Sequence, residues 1–554
     1  AKPISDTDWN RVVTTLVTNM NNIFKDTESK NTEEFNQDIS SWDVSNVETF
    51  QEMFYNARAF NKDIGNWDTS SARNMIGMFN QAVAFNQNLN NWDTSSLTRL
   101  DRTFMNAHAF NNGASATEST TLIWNVSNVI EMEETFRGAL SFNANLSGWK
   151  TGNVLNMKSM FRDTDAFNNN GATGSTTTTL NWDTSSVTQM NFMFADAAAF
   201  NANISSWDTS KVTAIENMFW DASVFNNGAS PGVSTTLSWV TSKVTDMTYA
   251  FFKATAFNGD LSGWDTSSVT EMNYMFSRAN AFNGNLSGWN TSKVTRMDNM
   301  FDNAPVFNNG ASAGVSSTIL NWDTSKVTQF NNMFTNADAF NADISSWDTS
   351  SLLQTYRMFK NADVFNSDIG GWNVSIVNNM EEMFFGASAF DQDLTCWDVD
   401  PAPIYTNFST GSSPLDSDFE PRWNDPNTPS ISYLPTTAAQ DDSPLIPTIV
   451  STRGTFTASI TGGLVHRVNQ WGAGNADFLD IDATTGVIDP SNSLAGTYDI
   501  TYTNCFSSFT TSITIRSVNS PGYQLSYSPN SICRSAGGMI TPTIIPTNSH
   551  ATVP

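Results

Sequence analysis

Phe60 to Ala84 reads FNKDIGNWDTSSARNMIGMFNQAVA, and this stretch decides the architecture because near-copies of it fill most of the 554-residue chain. A Phe followed nearly always by Asn leads, most often seven residues later, to a Trp, and the pair recurs fourteen times between Phe35 and Trp397. Consecutive tryptophans, from Trp42, Trp67, Trp92 and Trp124 onward, lie 25 or 32 to 33 residues apart. A fixed period of that size predicts a solenoid, because one unit cannot bury its apolar face until it is stacked on another. The inward set is Phe60, Ile64, Trp67, Ala72, Met75, Met78, Phe79 and Ala82, returning as Phe340, Ile344, Trp347, Leu352, Met358, Phe359 and Ala362. FNKDI is short and β-compatible, so a parallel strand of four or five residues is expected there. The stretch ending Met-Phe-x-x-Ala is expected to make a turn or two of helix, too brief to stand alone.

These residues also carry a resemblance. FNQDISSWDVSNVETFQEMF, from Phe35, and copies such as FNGDLSGWDTSSVTEMNYMF, from Phe257, resemble the BspA-like, DUF285-type leucine-rich repeats of bacterial surface proteins. The likeness implies a secreted or surface-anchored leucine-rich-repeat solenoid of a kind that acts in adhesion or is uncharacterised, so it implies location better than ligand, and it transfers no catalytic residue. The expected fold class is therefore an α/β repeat solenoid of short parallel strands and short helices, followed by an all-β immunoglobulin-like sandwich.

Outward from the repeat, residues 1–34 place Trp9, Val12, Val13, Leu16, Met20 and Ile23 at helical spacing behind Asp6, Thr7 and Asp8, which predicts a helical N-terminal cap. The solenoid is expected over 35–398 and a C-terminal cap or linker over 399–430, with Phe408, Phe419 and Trp423 lying on the last rung. Residues 431–520 show short alternating runs such as TFTASITG and GTYDITYTN between Gly, Asn, Pro and Ser turns, the grammar of a β-sandwich. LDIDATTGVIDPSNSLAGTYDITYT resembles the cadherin- or Ig-like modules of very large adhesins exported by Bacteroidota. Ser432-Tyr433-Leu434-Pro435 recurs as Ser526-Tyr527-Ser528-Pro529, and Pro447-Thr448-Ile449 as Pro542-Thr543-Ile544, so residues 521–554 are expected to open a further module or to complete something else by strand addition.

Four rungs insert seven or eight residues between Phe and Trp. Each insertion begins with an Asn-Asn-Gly or Asn-Asn-Asn-Gly turn, giving candidate contact loops at Asn112 and Gly113, Asn169 and Gly171, Asn227 and Gly228, and Asn309 and Gly310. Such loops can meet a ligand or a neighbouring copy, or simply lengthen harmlessly.

Composition narrows the function classes. Asp and Glu outnumber Lys and Arg 54 to 27, for a net charge of −27. Without a basic stripe, nucleic-acid binding and attraction to anionic membranes are disfavoured. No apolar run is long enough to insert into a membrane. The chain opens on Ala1 without an apolar leader, which suggests a processed chain or a fragment. The three cysteines, Cys396, Cys505 and Cys533, are too few for a disulfide scaffold, so covalent staples are not expected to hold the molecule, and the tandem reading predicts no Cys505 to Cys533 bridge.

Signals for chemistry are thin. His108, His466 and His550 stand apart from cysteines and from each other, and the repeating carboxylates offer no pair in contrasting environments, so no catalytic residue, cofactor or metal is expected. The Asp after Trp, as at Asp43, Asp68 and Asp93, suits an Asx-turn, and calcium held between stacked corners is the alternative. Lys150 and Val240 in that column argue against calcium. The Asn after Phe suits an internal amide ladder or, facing outward, a row for sugar hydroxyls. The Trp row suits a core or sugar stacking, and a Thr row from Thr69 to Thr349 would suit ice only if flat and exposed. The sequence thus points to a non-enzymatic extracellular protein of the bacterial cell surface, attaching to cells, glycans or surface proteins as part of a stalked adhesin or appendage. A carbohydrate-binding module and a self-assembling filament or ring subunit are the alternatives.

Overall fold

A computed structural model describes residues 12–25, 34–115, 118–399 and 403–412, then 419–421, 423 and short stretches between 431 and 545. The chain divides into two compact units, residues 1–392 with 403–416, and residues 393–402 with 417–554.

In the first unit, residues one repeat apart lie side by side in parallel register. Single bridges join Asn19 to Thr49, Thr49 to Asn74 and Asn74 to Arg99, and the column continues rung by rung to Arg296. It resumes from Gln329 through Gln354 and Asn379 to Ile404. Phe54, Phe79, Phe104 and Phe136 stack face to face in one column, whose centroids stand 5.3 to 5.8 Å apart along its length. Phe60, Phe85 and Phe110 form a second column, and the two touch within each rung, as Phe79 and Phe85 do at 4.0 Å. Successive indoles make a third, with Trp67 to Trp92 at 6.4 Å and Trp182 to Trp207 at 6.2 Å. These rings are buried together with the Met, Val, Leu and Ala positions of the repeat. The apolar area removed from water by so many aromatic side chains is the main stabilising term of the unit.

The local structure of each rung departs from the expected strand and helix. No α-helix occurs among the described residues, and in the described part of this unit the only strands longer than a bridge are β1, Thr235–Thr236, and β2, Gly259–Asp260. The Met-Phe-x-x-Ala stretch is instead a run of turns held open by two left-handed residues four apart, such as Glu52 and Asn56, Asn217 and Asp221, or Asn332 and Asn336. A left-handed residue every fourth position excludes an α-helix. It leaves backbone N–H groups free to alternate between two acceptors. Phe50, Glu52, Phe54 and Asn56 donate to Asn74, Ile76, Met78 and Asn80 of the next rung, while Met53, Tyr55 and Ala57 donate back within their own rung. The continuous rung-to-rung backbone ladder therefore runs through the segment expected to be helical, and FNxDI pairs in parallel only against the insertions, at Asn145, Asn203, Gly259–Asp260 and Asp343, one or two residues at a time.

Both ends of this unit are partial rungs. Residues 12–25 are not a helix. Met20, Asn22 and Phe24 donate to Thr49, Gln51 and Met53, and Phe24 stacks on Phe54 at 5.5 Å. The spacing of Met20 and Phe24 that imitates a helix is the spacing of Phe50 and Phe54 in the repeat, and Val13 and Leu16 remain 84% and 90% exposed. At the other end, Phe384 donates to Phe408, whose buried ring packs edge-on against Phe384 at 5.2 Å, in the role expected of it.

In the second unit β4 (Ala438–Ala439), β10 (Ser508–Arg516), β9 (Gly496–Thr503) and β6 (Thr455–Ile460) form a sheet in that order, antiparallel except for the β10 to β4 pair. Tyr498, Ile500, Ile513 and Ile515 alternate onto one buried face. β3 (Ile431–Tyr433) pairs with β5 (Pro447–Ile449), and β7 (Asp480–Ile481) with β8 (Ile488–Asp489). β11 (Gln524–Ser526) pairs with β12 (Thr543–Ile545), and its register matches Ser526 with Thr543 as the β3 hairpin matches Ser432 with Thr448. The sequence echo thus has a structural counterpart in backbone pairing. Cys396 is disulfide-bonded, its partner lying outside the described residues, so a covalent staple exists after all. With three cysteines in the chain, that bond leaves none for a Cys505 to Cys533 bridge.

Candidate functional site

The repeated polar residues are consumed inside the stack. From Asn61 to Asp391 the backbone N–H at each position of this column is donated to Oδ1 of the Asn one rung earlier, as from Asn61 to Asn36 at 3.0 Å, Asn226 to Asn201 at 2.7 Å and Asp391 to Asn366 at 3.2 Å. The expected amide ladder is thus made of side-chain carbonyls and backbone N–H groups rather than of amides bonding one another. From Asn86 to Asn341 the Nδ2 groups turn to the insertions, and Asn366 donates instead to Asp391. Asn226 donates to the carbonyls of Ser230 and Val233, and Asn308 to those of Ser312 and Val315. From Trp67 to Trp372 each indole Nε1 of the Trp row donates to a carbonyl of an earlier rung, as Trp67 does to Ile39 at 3.3 Å, Trp207 to Leu180 at 2.6 Å and Trp372 to Ile344 at 3.3 Å. Thr69, Thr184 and Thr324 are buried and donate to the carbonyls of Asp93, Asp208 and Asp348, so the Thr row faces no solvent. Neither the Trp, the Asn nor the Thr row is a free surface for sugars or ice.

Asp43, Asp68 and Asp93 each accept the backbone N–H two residues on, from Ser45, Ser70 and Ser95 at 3.1, 3.0 and 2.9 Å, which is the Asx-turn. The Ser45 and Ser95 hydroxyls, with the backbone N–H groups, hold Asp43 and Asp93 below the usual carboxylate range. Among the described residues no three or more His, Cys, Asp or Glu side chains converge as metal ligands would.

The insertion turns are placed differently from what contact loops require. Asn112, Asn169, Asn227 and Asn309 are all buried and left-handed. Their Oδ1 atoms accept the backbone N–H groups of Leu89, Leu146, Ile204 and Leu286 in the preceding rung at 2.8 to 3.0 Å. These residues clamp the insertions onto the stack. Gly113 and Gly310 are exposed beside them and Gly171 and Gly228 half-buried. Gly113, Gly228 and Gly310 have φ of 79° to 84° and a missing Cβ that would crowd Asn88, Asn203 and Asn285.

What remains unrepeated is the outer side of the turn ladder, where the left-handed residues and their neighbours differ from rung to rung. The rungs of Trp92 and Trp124 carry ion pairs, Arg102 to Glu134 at 2.6 Å and Arg137 to Glu134. Aromatic side chains follow. Trp220 stacks on Phe252 at 6.1 Å, Tyr249 on Tyr274 at 4.5 Å, and Lys253 lies 5.7 Å over Trp220 while pairing with Asp221. Asp163, Asp196 and Asp221 are left-handed residues of one outer column, and burial first, then its two neighbours, pushes Asp196 up to about 6. Beyond Tyr274 the face opens into a hollow of about 450 Å³ lined by Tyr274 and Tyr356, by amide side chains, and by Arg296, Asp298 and Glu381. Sequence reasoning passed over this face because periodicity draws attention to what repeats. The available signal was the residue before the Ala, where Asn56, Asn106, Gly138, Asp196, Asn303, Asn336 and Gly386 tolerate positive φ.

A family model described as Mycoplasma protein of unknown function, DUF285, matches residues 3–117, 112–179, 171–236, 228–318 and 310–420. No curated protein gives a significant match.

Proposed function

The chain belongs to the DUF285 family through most of its length, and from that premise we propose that it is a non-enzymatic protein of the bacterial cell surface whose solenoid, of the leucine-rich-repeat kind, attaches to cells, glycans or surface proteins through its turn face. The observation that carries this reading is the division of labour within each rung. Repeated side chains satisfy one another internally, whereas half-buried aromatic and charged side chains of changing identity, from Phe192 through Trp220, Phe252 and Tyr274 to Tyr356, line one outer side. Aromatic side chains beside paired charges are typical of surfaces that bind partners. The bonded Cys396 supports an oxidising, extracellular location. The paired β11 and β12, repeating the β3 hairpin, support a C-terminal series of β modules that carries the stack as a stalk.

Beads coated with the protein test this reading. Wild-type beads are expected to adhere to cells from a shared environment. The double change Trp220→Ala and Phe252→Ala should reduce adhesion at least fivefold, while substitution of the exposed insertion residues Ser115 and Ser312 should leave it intact. Loss of adhesion from the insertion variants alone would overturn the assignment to the turn face. Mass measurement in solution separates attachment from self-assembly, since a filament or ring subunit would associate at high protein concentration.

A further inference from the structure

The hollow at Tyr274 to Glu381 differs from the rest of the turn face in two independent ways. The column of bridges that joins every other neighbouring pair of rungs is missing one step, from Arg296 to Gln329, and both residues line the hollow. At the same place Asp298 is only 4% exposed, and its Oδ1 has no hydrogen-bond partner. Its Oδ2 is engaged by Arg296, with Nη2 at 3.1 Å and Nε at 3.2 Å. Burial raises the Asp298 carboxyl above its usual range, opposed by Arg296 and by the backbone N–H groups of Asn331 and of Asp298 itself, which complete no bond to Oδ1. An acceptor without a partner, in a residue that lines a hollow, is a group that a small turn of the Asp298 carboxyl would offer to a donor from outside.

The remaining lining defines that donor. Asn331 and Gln354 are hydrogen-bonded to each other at 3.0 Å, and with Asn299, Asn332, Gln329 and Asn379 they present carbonyl acceptors and N–H donors in one concave patch. Tyr274, stacked on Tyr249 at 4.5 Å, and Tyr356, with the Arg357 guanidinium 4.6 Å from its ring centre, add aromatic surface to the lining. No aliphatic side chain lines it, which disfavours an acyl chain or an apolar peptide. Arg296, already paired with Asp298, leaves no free cation for a phosphate or sulfate. Amides that donate and accept, a carboxylate that accepts hydroxyls and aromatic faces for C–H surfaces together match a neutral saccharide, and the volume lies within the ordinary range for small-ligand sites.

We propose that this hollow is a saccharide-binding site for a short neutral oligosaccharide, with Asp298 and the Asn331–Gln354 amides taking ring hydroxyls and Tyr356 stacking on a sugar face. The assignment rests on the attachment reading and gives it a ligand class. It also moves sugar recognition from the repeated Trp and Asn rows, which are internal, to a place where the repeat is broken.

Calorimetry of the full chain against neutral hexose and N-acetylhexosamine oligosaccharides of two to four units tests it, with sialylated and sulfated counterparts as controls. At least one neutral oligosaccharide is expected to bind, and Asp298→Asn and Tyr356→Ala should each weaken it at least tenfold without changing the thermal midpoint of the aromatic core. Trp220→Ala, outside the hollow, should leave binding unchanged. Absence of any neutral saccharide binding at millimolar concentration, binding of the acidic counterparts only, or binding indifferent to both hollow variants overturns the proposal. Bead adhesion measured in parallel keeps the two readings apart: adhesion without saccharide binding rejects the hollow and spares the attachment face, and saccharide binding without adhesion does the reverse.

Discussion

Trp239 and Trp220 are separated by less than one repeat, yet they live by different rules. Trp239 is 3% exposed, sandwiched between Trp207 at 6.3 Å and Trp264 at 6.0 Å, and its Nε1 is held by the Ile204 carbonyl at 3.3 Å. Trp220 sits half-buried on the turn face against Phe252 and Lys253, in a column that holds Tyr55 in one rung and Arg137 in another. Inner columns are constrained by their neighbours above and below, because each ring must pack on a near-identical ring. The outer face carries no such constraint, so its side chains can be chosen for something outside the molecule.

The sharpest way to break that comparison is to delete both rings. Trp239→Ala should destabilise the stack by about 3–5 kcal/mol, and Trp220→Ala by no more than about 1 kcal/mol, read as shifts of the denaturation midpoint. Equal losses would mean that the turn face is core. A smaller effect is expected from the amide ladder. Asn226→Ala removes the acceptor of the Asn258 N–H and the donor to Ser230 and Val233, for a loss of about 2–3 kcal/mol. Asn226→Asp keeps the acceptor but turns a buried carboxylate oxygen onto the Ser230 and Val233 carbonyls, so it should cost at least as much and release the insertion, which limited proteolysis near Ser234 would detect.

The smallest effect depends on pH and sharpens the same contrast on the outer face. Asp196 is pushed up to about 6 in the folded protein against an ordinary value near 4, so the folded state binds more protons than the unfolded state between those values. Stability therefore falls as pH rises from about 4 to about 6. Asp196→Asn should stabilise the protein above pH 6 by on the order of 1–2 kcal/mol, after allowance for solvent screening, and the gain should vanish below about pH 4. A gain that persists at low pH would show that the column is strained by packing rather than by charge.

Much of the interior was legible from residues alone. Phe60, Ile64, Trp67, Met75, Met78 and Phe79 were assigned inward from their recurrence, and each is buried. The Asx-turns at Asp43, Asp68 and Asp93 and the internal placement of the Asn column were legible for the same reason. The cap at residues 12–25 was misread because an apolar pair four apart fits a helix and this turn ladder equally well. The covalent bond at Cys396 left no trace in cysteine spacing, since its partner is distant in sequence. Asn112, Asn169, Asn227 and Asn309 looked like exposed turn residues, and only their neighbours in the preceding rung reveal them as clamps.

By itself the sequence determined the period, the columns of aromatic rings and the residues that fill them, because a repeated environment imposes a repeated side chain. Tertiary structure alone decided the turn ladder, the missing bridge between Arg296 and Gln329 and the buried, unpartnered Oδ1 of Asp298. Backbone hydrogen bonds and buried acceptors are settled by which groups meet across rungs, and one rung read alone contains only half of each such pair.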